Sequence, residues 1–96
     1  MHVGVCRVTL RLRASHSLKD KRQVVRSLSE RLRRTYNAAV AEVESQDSWQ
    51  TAVLGIVVVS NQAGHADQQL ARIVEQVEST RLDAEVVDLY TEIIPV

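Results

Sequence analysis

The chain has 96 residues, enough for one domain with a modest core and too few for two. A hydrophobic share of 45% excludes a disordered polymer, and with Phe absent and aromatics at 3% the core has to be aliphatic. Formal net charge is zero, yet residues 1–34 hold ten of the twelve Lys and Arg against two acids, while the rest of the chain holds two cations against ten acids.

Residues 2–13 alternate, with Cys6, Val8, Leu10 and Leu12 on one side and Arg7, Thr9, Arg11 and Arg13 on the other. A period of two predicts a strand with one buried face. Cys6 is the single cysteine, which excludes an internal disulfide and a cysteine-based zinc site, and its apolar neighbours predict a buried structural thiol. The opening MHVGVCRV lacks the basic lead and apolar run of a signal peptide. No apolar run approaches the roughly 20 residues of a membrane span, so a cytoplasmic protein with no membrane partner is expected. Ser17 followed by Asp20 is a cap-like pair, and residues 18–36 contain no Gly or Pro, which predicts a helix. Leu18, Val25, Leu28, Leu32 and Tyr36 share one face of it, and Lys19, Arg22, Arg26 and Arg33 form a neighbouring stripe interrupted by Glu30. Lys21 falls inside the apolar sector, so it has to reach toward the strand ends or find an acid.

Asn37 is the expected stop. Residues 38–45 predict an edge strand with Ala39, Ala41 and Val43 on one face and Val40, Glu42 and Glu44 on an acidic other face; 45–50 is the hairpin connection. Residues 51–60 are apolar on both faces, as in a central strand. Ser60-Asn61 is a cap candidate for a second helix that buries Ala63, Ala66, Leu70, Ile73, Val74 and Val77, with Gly64 in its first turn. After Leu82-Asp83, residues 84–94 predict a last strand with Val87, Leu89 and Ile93 opposite Val86, Asp88, Tyr90 and Glu92, ended by Pro95.

The order βαββαβ predicts one α+β domain over residues 1–96: a ferredoxin-like sandwich with a four-stranded antiparallel sheet and both helices on one face. The first and third strands are then central. Leu54, Ile56 and Val58 face one way and Val53, Val57 and Val59 the other, so one apolar set lies on the face without helices. Either the stems of Arg7 and Arg11 cover it, or Val53, Val57, Val59 and Trp49 contribute to a homo-oligomer interface. The central strands carry no aromatic, so nucleic-acid contact is expected through phosphates rather than through stacking on the sheet.

The densest chemistry is Ser15 to Arg22, a helix start crowded with cations, where Ser17, Lys19, Lys21 and Arg22 make a candidate phosphate-binding corner or else a solvated cap. His16 between two serines has no orienting third group, so no catalytic residue is assigned. The scattered histidines predict no metal site, and no cofactor is implied. Trp49, the only Trp, sits among polar residues and predicts either an edge folded back or an interface anchor.

SHSLKDKR at 15–22, VAEV at 40–43, the Gln-Asp-Ser-Trp-Gln loop and GIVVVSN at 55–61 together resemble the YlxP-like family of small bacterial proteins. The resemblance covers nearly the whole chain. It implies a ferredoxin-like fold, a tendency to form oligomers, and, through genes found beside a translation initiation factor and a ribosome-binding factor, a role near ribosome maturation or translation. It carries no catalytic residues. The expected function is therefore a non-enzymatic accessory protein that binds structured RNA or the ribosome through Arg7, Arg11, Arg13, Ser17, Lys19, Lys21, Arg22, Arg26 and Arg33. The alternative is a homo-oligomeric interaction module in which basic and acidic halves meet between subunits. Within one chain those halves can also interleave and neutralise each other.

Overall fold

Alternating apolar residues become β1 (His2–Leu12), and the long uninterrupted helical pattern becomes α1 (Leu18–Tyr36). The computed structural model describes residues 1–80 and 84–96. It continues through β2 (Ala39–Glu44), β3 (Thr51–Ser60), α2 (Ala63–Thr80) and β4 (Ala84–Pro95). The Leu82-Asp83 break anticipated from sequence lies outside the described residues. The four strands form one antiparallel sheet in the order β2-β3-β1-β4, so β1 and β3 are central. With both helices on one side, this is the ferredoxin-like βαββαβ sandwich.

The core is aliphatic. Cys6, Val8, Leu10 and Leu12 of β1 meet Leu54, Ile56 and Val58 of β3, and Leu28 and Leu32 of α1 close over them with Ala66, Leu70, Ile73 and Val77 of α2. Burial pushes the Cys6 thiol above its ordinary pKa, which suits a packing group. Gly4 lets α2 sit tight on the sheet: a Cβ there would stand 2.8 Å from Val58 and 3.1 Å from Leu70. α1 packs over the β2 edge and α2 over β1, β3 and β4.

Three side-chain assignments differ from the sequence pattern. A register shift between Glu42 and Glu44 leaves Val40 and Glu42 on the helix side of β2 while Glu44 pairs with Val53. The acidic face expected of this strand is thereby split. A second shift, where Thr9 and Leu10 of β1 meet β4, puts Val86 rather than Val87 on the helix side with Leu89 and Ile93. Each irregularity inserts an unpaired residue, which flips everything beyond it to the opposite face. Ala63 is exposed in the first turn of α2 rather than buried.

Candidate functional site

The corner at residues 15–22 is built by the cap. Ser17 Oγ accepts the Asp20 amide at 3.0 Å, and the Asp20 carboxylate accepts the His16 amide at 3.0 Å. The cap thus satisfies the Asp20 amide, one of the orphan donors of the helix start, and ties down the turn that precedes it. Ser15 Oγ donates to the Ser17 carbonyl at 3.1 Å, so neither serine hydroxyl is paired with the His16 ring.

Lys21 corrects the expected anion-binding set. Its side chain is 0% exposed. The Nζ donates to the carbonyls of Ser45 (2.8 Å), Gln46 (3.2 Å) and Thr51 (3.3 Å). An ammonium has three N–H donors, and three carbonyls take them. Glu42 Oε2 lies 2.8 Å away and supplies the neutralising charge. Lys21 does both things its position allowed: it reaches the strand ends and it finds an acid. It ties α1 to the β2–β3 connection and offers nothing to an outside anion. Sequence reasoning did not name Glu42 as the partner, although its place two residues after the buried Val40 was the available signal.

The remaining predicted cations fall into two groups on opposite sides of the sheet. Arg7 and Arg11 occupy the face without helices. There β4 sets its acids against them: Arg11 pairs with Glu85, and Asp88 pairs with Thr9 between the two arginines. Arg13 makes an exposed ion pair with Glu85 at 2.8 Å. The Arg7 guanidinium lies 5.5 Å from the centroid of the Tyr90 ring, a cation–π distance. A hydrogen bond from Tyr90 to Glu92 raises the phenol pKa, its charge adds to the effect, and Arg7 opposes both.

Lys19, Arg22, Arg26 and Arg33 lie on the solvent side of α1, and Arg31 and Arg34, outside the predicted set, are exposed on the same helix. Arg33 donates to the Val40 carbonyl, which fixes the stripe along the β2 edge. Glu30 is the one exposed acid on α1. Among the described residues none of these cations makes an ion pair.

The predicted oligomer set also divides. Val53 is only 4% exposed, shut in among its strand neighbours, and is corrected out of an accessible interface. Val57 (39% exposed) and Val59 (60%) remain open, paired with Val5 and Val3 of β1, with Ile94 on the far side of Val3. Arg7 leans toward Tyr90 of β4 and Arg11 pairs with Thr51 at the other end of β3, and Val57 and Val59 stay exposed beside them. Trp49 is 47% exposed in the connection between β2 and β3. A groove of about 280 Å³ lies away from these residues, between α2 and β4, lined by Asp67, Leu70, Val74 and Leu89.

A two-layer βαββαβ domain with one uncovered sheet face and a cation-striped helix on the other side is a ferredoxin-like domain whose chemistry lies on its surfaces. The family model described as "Protein of unknown function (DUF503)" matches residues 3–91, and the chain belongs to that family. It is similar to the "Uncharacterized protein YlxP" of Bacillus subtilis (strain 168), at 32% identity over 63 residues covering 66% of this chain and 68% of that protein. The YlxP-like membership expected from the motifs is met. Among solved structures the chain is similar to a de novo designed protein with a ferredoxin fold, LFR1 1, at 15% identity and a TM-score of 0.47, covering 100% of this chain and 87% of that one. Among the described residues no helix is long and apolar enough to cross a membrane.

Proposed function

We propose that this is a non-enzymatic, cytoplasmic accessory protein that binds structured RNA, free or within the ribosome, through the exposed face of α1. The observation that carries the reading is the unpaired stripe Lys19–Arg22–Arg26–Arg33, reinforced by Arg34 and opposed on the helix surface by Glu30 alone. At 1.5 Å rise per residue the stripe runs about 21 Å, long enough to meet several successive phosphates. A neutral whole chain is compatible with this, because among the described residues the acids other than Asp20, Glu30 and the loop residue Asp47 lie on α2, β2 and β4, which leaves the α1 stripe as a basic strip to orient toward a polyanion. Arg7, Arg11 and Arg13 drop out of the binding surface, since they lie across the sheet beside carboxylates.

The test is salt-dependent binding to a folded RNA. Four phosphate contacts predict a log–log slope between about −3 and −4. The double variant Arg22→Glu/Arg26→Glu is expected to weaken binding more than tenfold, and Arg7→Glu to leave it within about twofold. Binding that ignores a rise from low to moderate salt, or that survives the α1 double variant, overturns the reading.

A second reading is favoured by a different observation. Exposed Val57, Val59 and Ile94 sit with half-buried Val3 and Val5 as a contiguous apolar patch on an uncovered sheet face, the kind of surface that marks an interaction site. In this reading the chain is a homo-oligomeric interaction module with no nucleic-acid role. The same face carries Arg7 and Arg11 next to Asp88 and Glu92, so a two-fold partner could meet each charge with its opposite. Protein prepared at low salt would then carry no nucleic acid, as its absorbance ratio at 260 and 280 nm and its size with and without nuclease would show.

A further inference from the structure

Two motifs distant in sequence, Ser15–Arg22 and Gln46–Gln50, are joined at one end of the molecule. Lys21 grips the carbonyls of Ser45, Gln46 and Thr51. From the other side of the loop, Gln50 Nε2 donates to the Ser15 carbonyl at 3.4 Å and the Leu12 amide donates to the Gln50 carbonyl at 2.8 Å. Within the loop, the Ser48 amide bonds the Ser45 carbonyl at 3.0 Å, and the Ser48 hydroxyl accepts the Thr51 amide at 3.1 Å. Ser45 holds the left-handed conformation at φ 61° that this tight path requires.

Trp49 is the residue this network leaves outside. Its backbone neighbours are pinned on both sides, its side chain is half exposed, and among the described residues its indole N–H has no acceptor. A rigid, exposed indole loses little conformational freedom when something stacks on it. Its surroundings are set by the pinning contacts: Gln50 is bonded to Ser15, next to the exposed His16, and Lys21 draws the loop against the first turn of α1, from which Lys19 and Arg22 project. Asp47 is the exposed acid in the loop itself. The other aromatics are already engaged: Tyr90 with Arg7 and Glu92, and Tyr36 with the Arg72 carbonyl.

We infer that Trp49 is a stacking platform for one unpaired base of an RNA whose phosphates lie along α1. This deepens the α1 reading and rests on it: the cations hold the backbone of a structured RNA, and Trp49 selects one with an unpaired nucleotide at the end of the duplex or in a loop. Stacking on an indole needs no particular base, so the selection is for an unstacked nucleotide rather than for a sequence.

Trp49 is the sole tryptophan, so its fluorescence reports on its own contact. The whole chain is titrated with an RNA hairpin carrying an unpaired loop, and with a blunt, fully paired duplex of equal charge, at one low salt concentration. The hairpin is expected to quench the emission and to bind at least about fivefold more tightly than the duplex. Trp49→Ala is expected to lose at least about fivefold in hairpin affinity while melting within a few degrees of the parent, and Trp49→Phe to recover part of the loss. If both RNAs bind with equal affinity and without quenching, the stacking role is overturned and the α1 reading stands. If neither RNA binds, both fall. Emission that changes with protein concentration alone assigns Trp49 to a contact between copies and also overturns the proposal.

Discussion

Lys21 is the residue whose removal the molecule tolerates least. A buried ion pair contributes little net stability, because desolvation offsets most of its attraction; breaking one is costly, since the partner stays behind uncompensated. Here the loss of the ammonium would strand Glu42 and three loop carbonyls at once. Lys21→Met is therefore expected to destabilise the fold by about 3 kcal/mol in urea denaturation. Adding Glu42→Leu should restore part of that loss, because the stranded charge goes with it. A loss below about 1 kcal/mol for the single variant would mean that the site is wet and the lock weak. Position in the apolar sector made Lys21 conspicuous from sequence. The carbonyls that receive it come from residues 24 to 30 positions away, and no local pattern encodes such a meeting.

At the scale of elements, α1 is specified almost wholly by its own residues. Ser17 and Asp20 close its start, and Asn37 ends it in the left-handed region at φ 50°, its amide bonding the Arg33 carbonyl. Ser17→Ala is expected to cost about 1 kcal/mol in thermal or urea unfolding, and Ser17→Asn to cost little, since another oxygen can accept the Asp20 amide. Equal losses for both would show that the hydroxyl has no capping role. The edge strands behave otherwise. Alternation located β2 and β4 but misassigned the faces of Glu44 and Val87, because register shifts arise from pairing with β3 and β1 rather than from the strand's own order.

Across the whole molecule, the +8 opening third is not a single surface. Its strand cations and helix cations point away from each other, with the core between them. The strand set meets the acids of β4, Lys21 of the helix meets Glu42, and the other helix cations meet solvent, so neutralisation within the chain reaches the strand set and Lys21 and leaves the exposed α1 stripe without ion pairs. This separation makes a sheet-face interface compatible with RNA binding on α1: copies paired through the uncovered sheet face would turn their α1 stripes outward. Such pairing predicts concentration-dependent sedimentation at high micromolar protein, weakened by Val57→Lys with Val59→Lys. A parent chain that sediments as a monomer throughout that range removes the sheet-face interface.

Elements, order, aliphatic core, the caps of α1 and the cation stripe follow from the chain alone, because each depends on periodicity or on neighbours within a turn or two. Pairing decided the rest. Which arginines face carboxylates, that Lys21 is spent inside, that Val53 is closed while Val59 is open, and that the loop carrying Trp49 is tied to the start of α1 all depend on strands and loops brought together from distant parts of the sequence. Periodicity says which face a side chain takes; only the partner across the sheet says what it finds there.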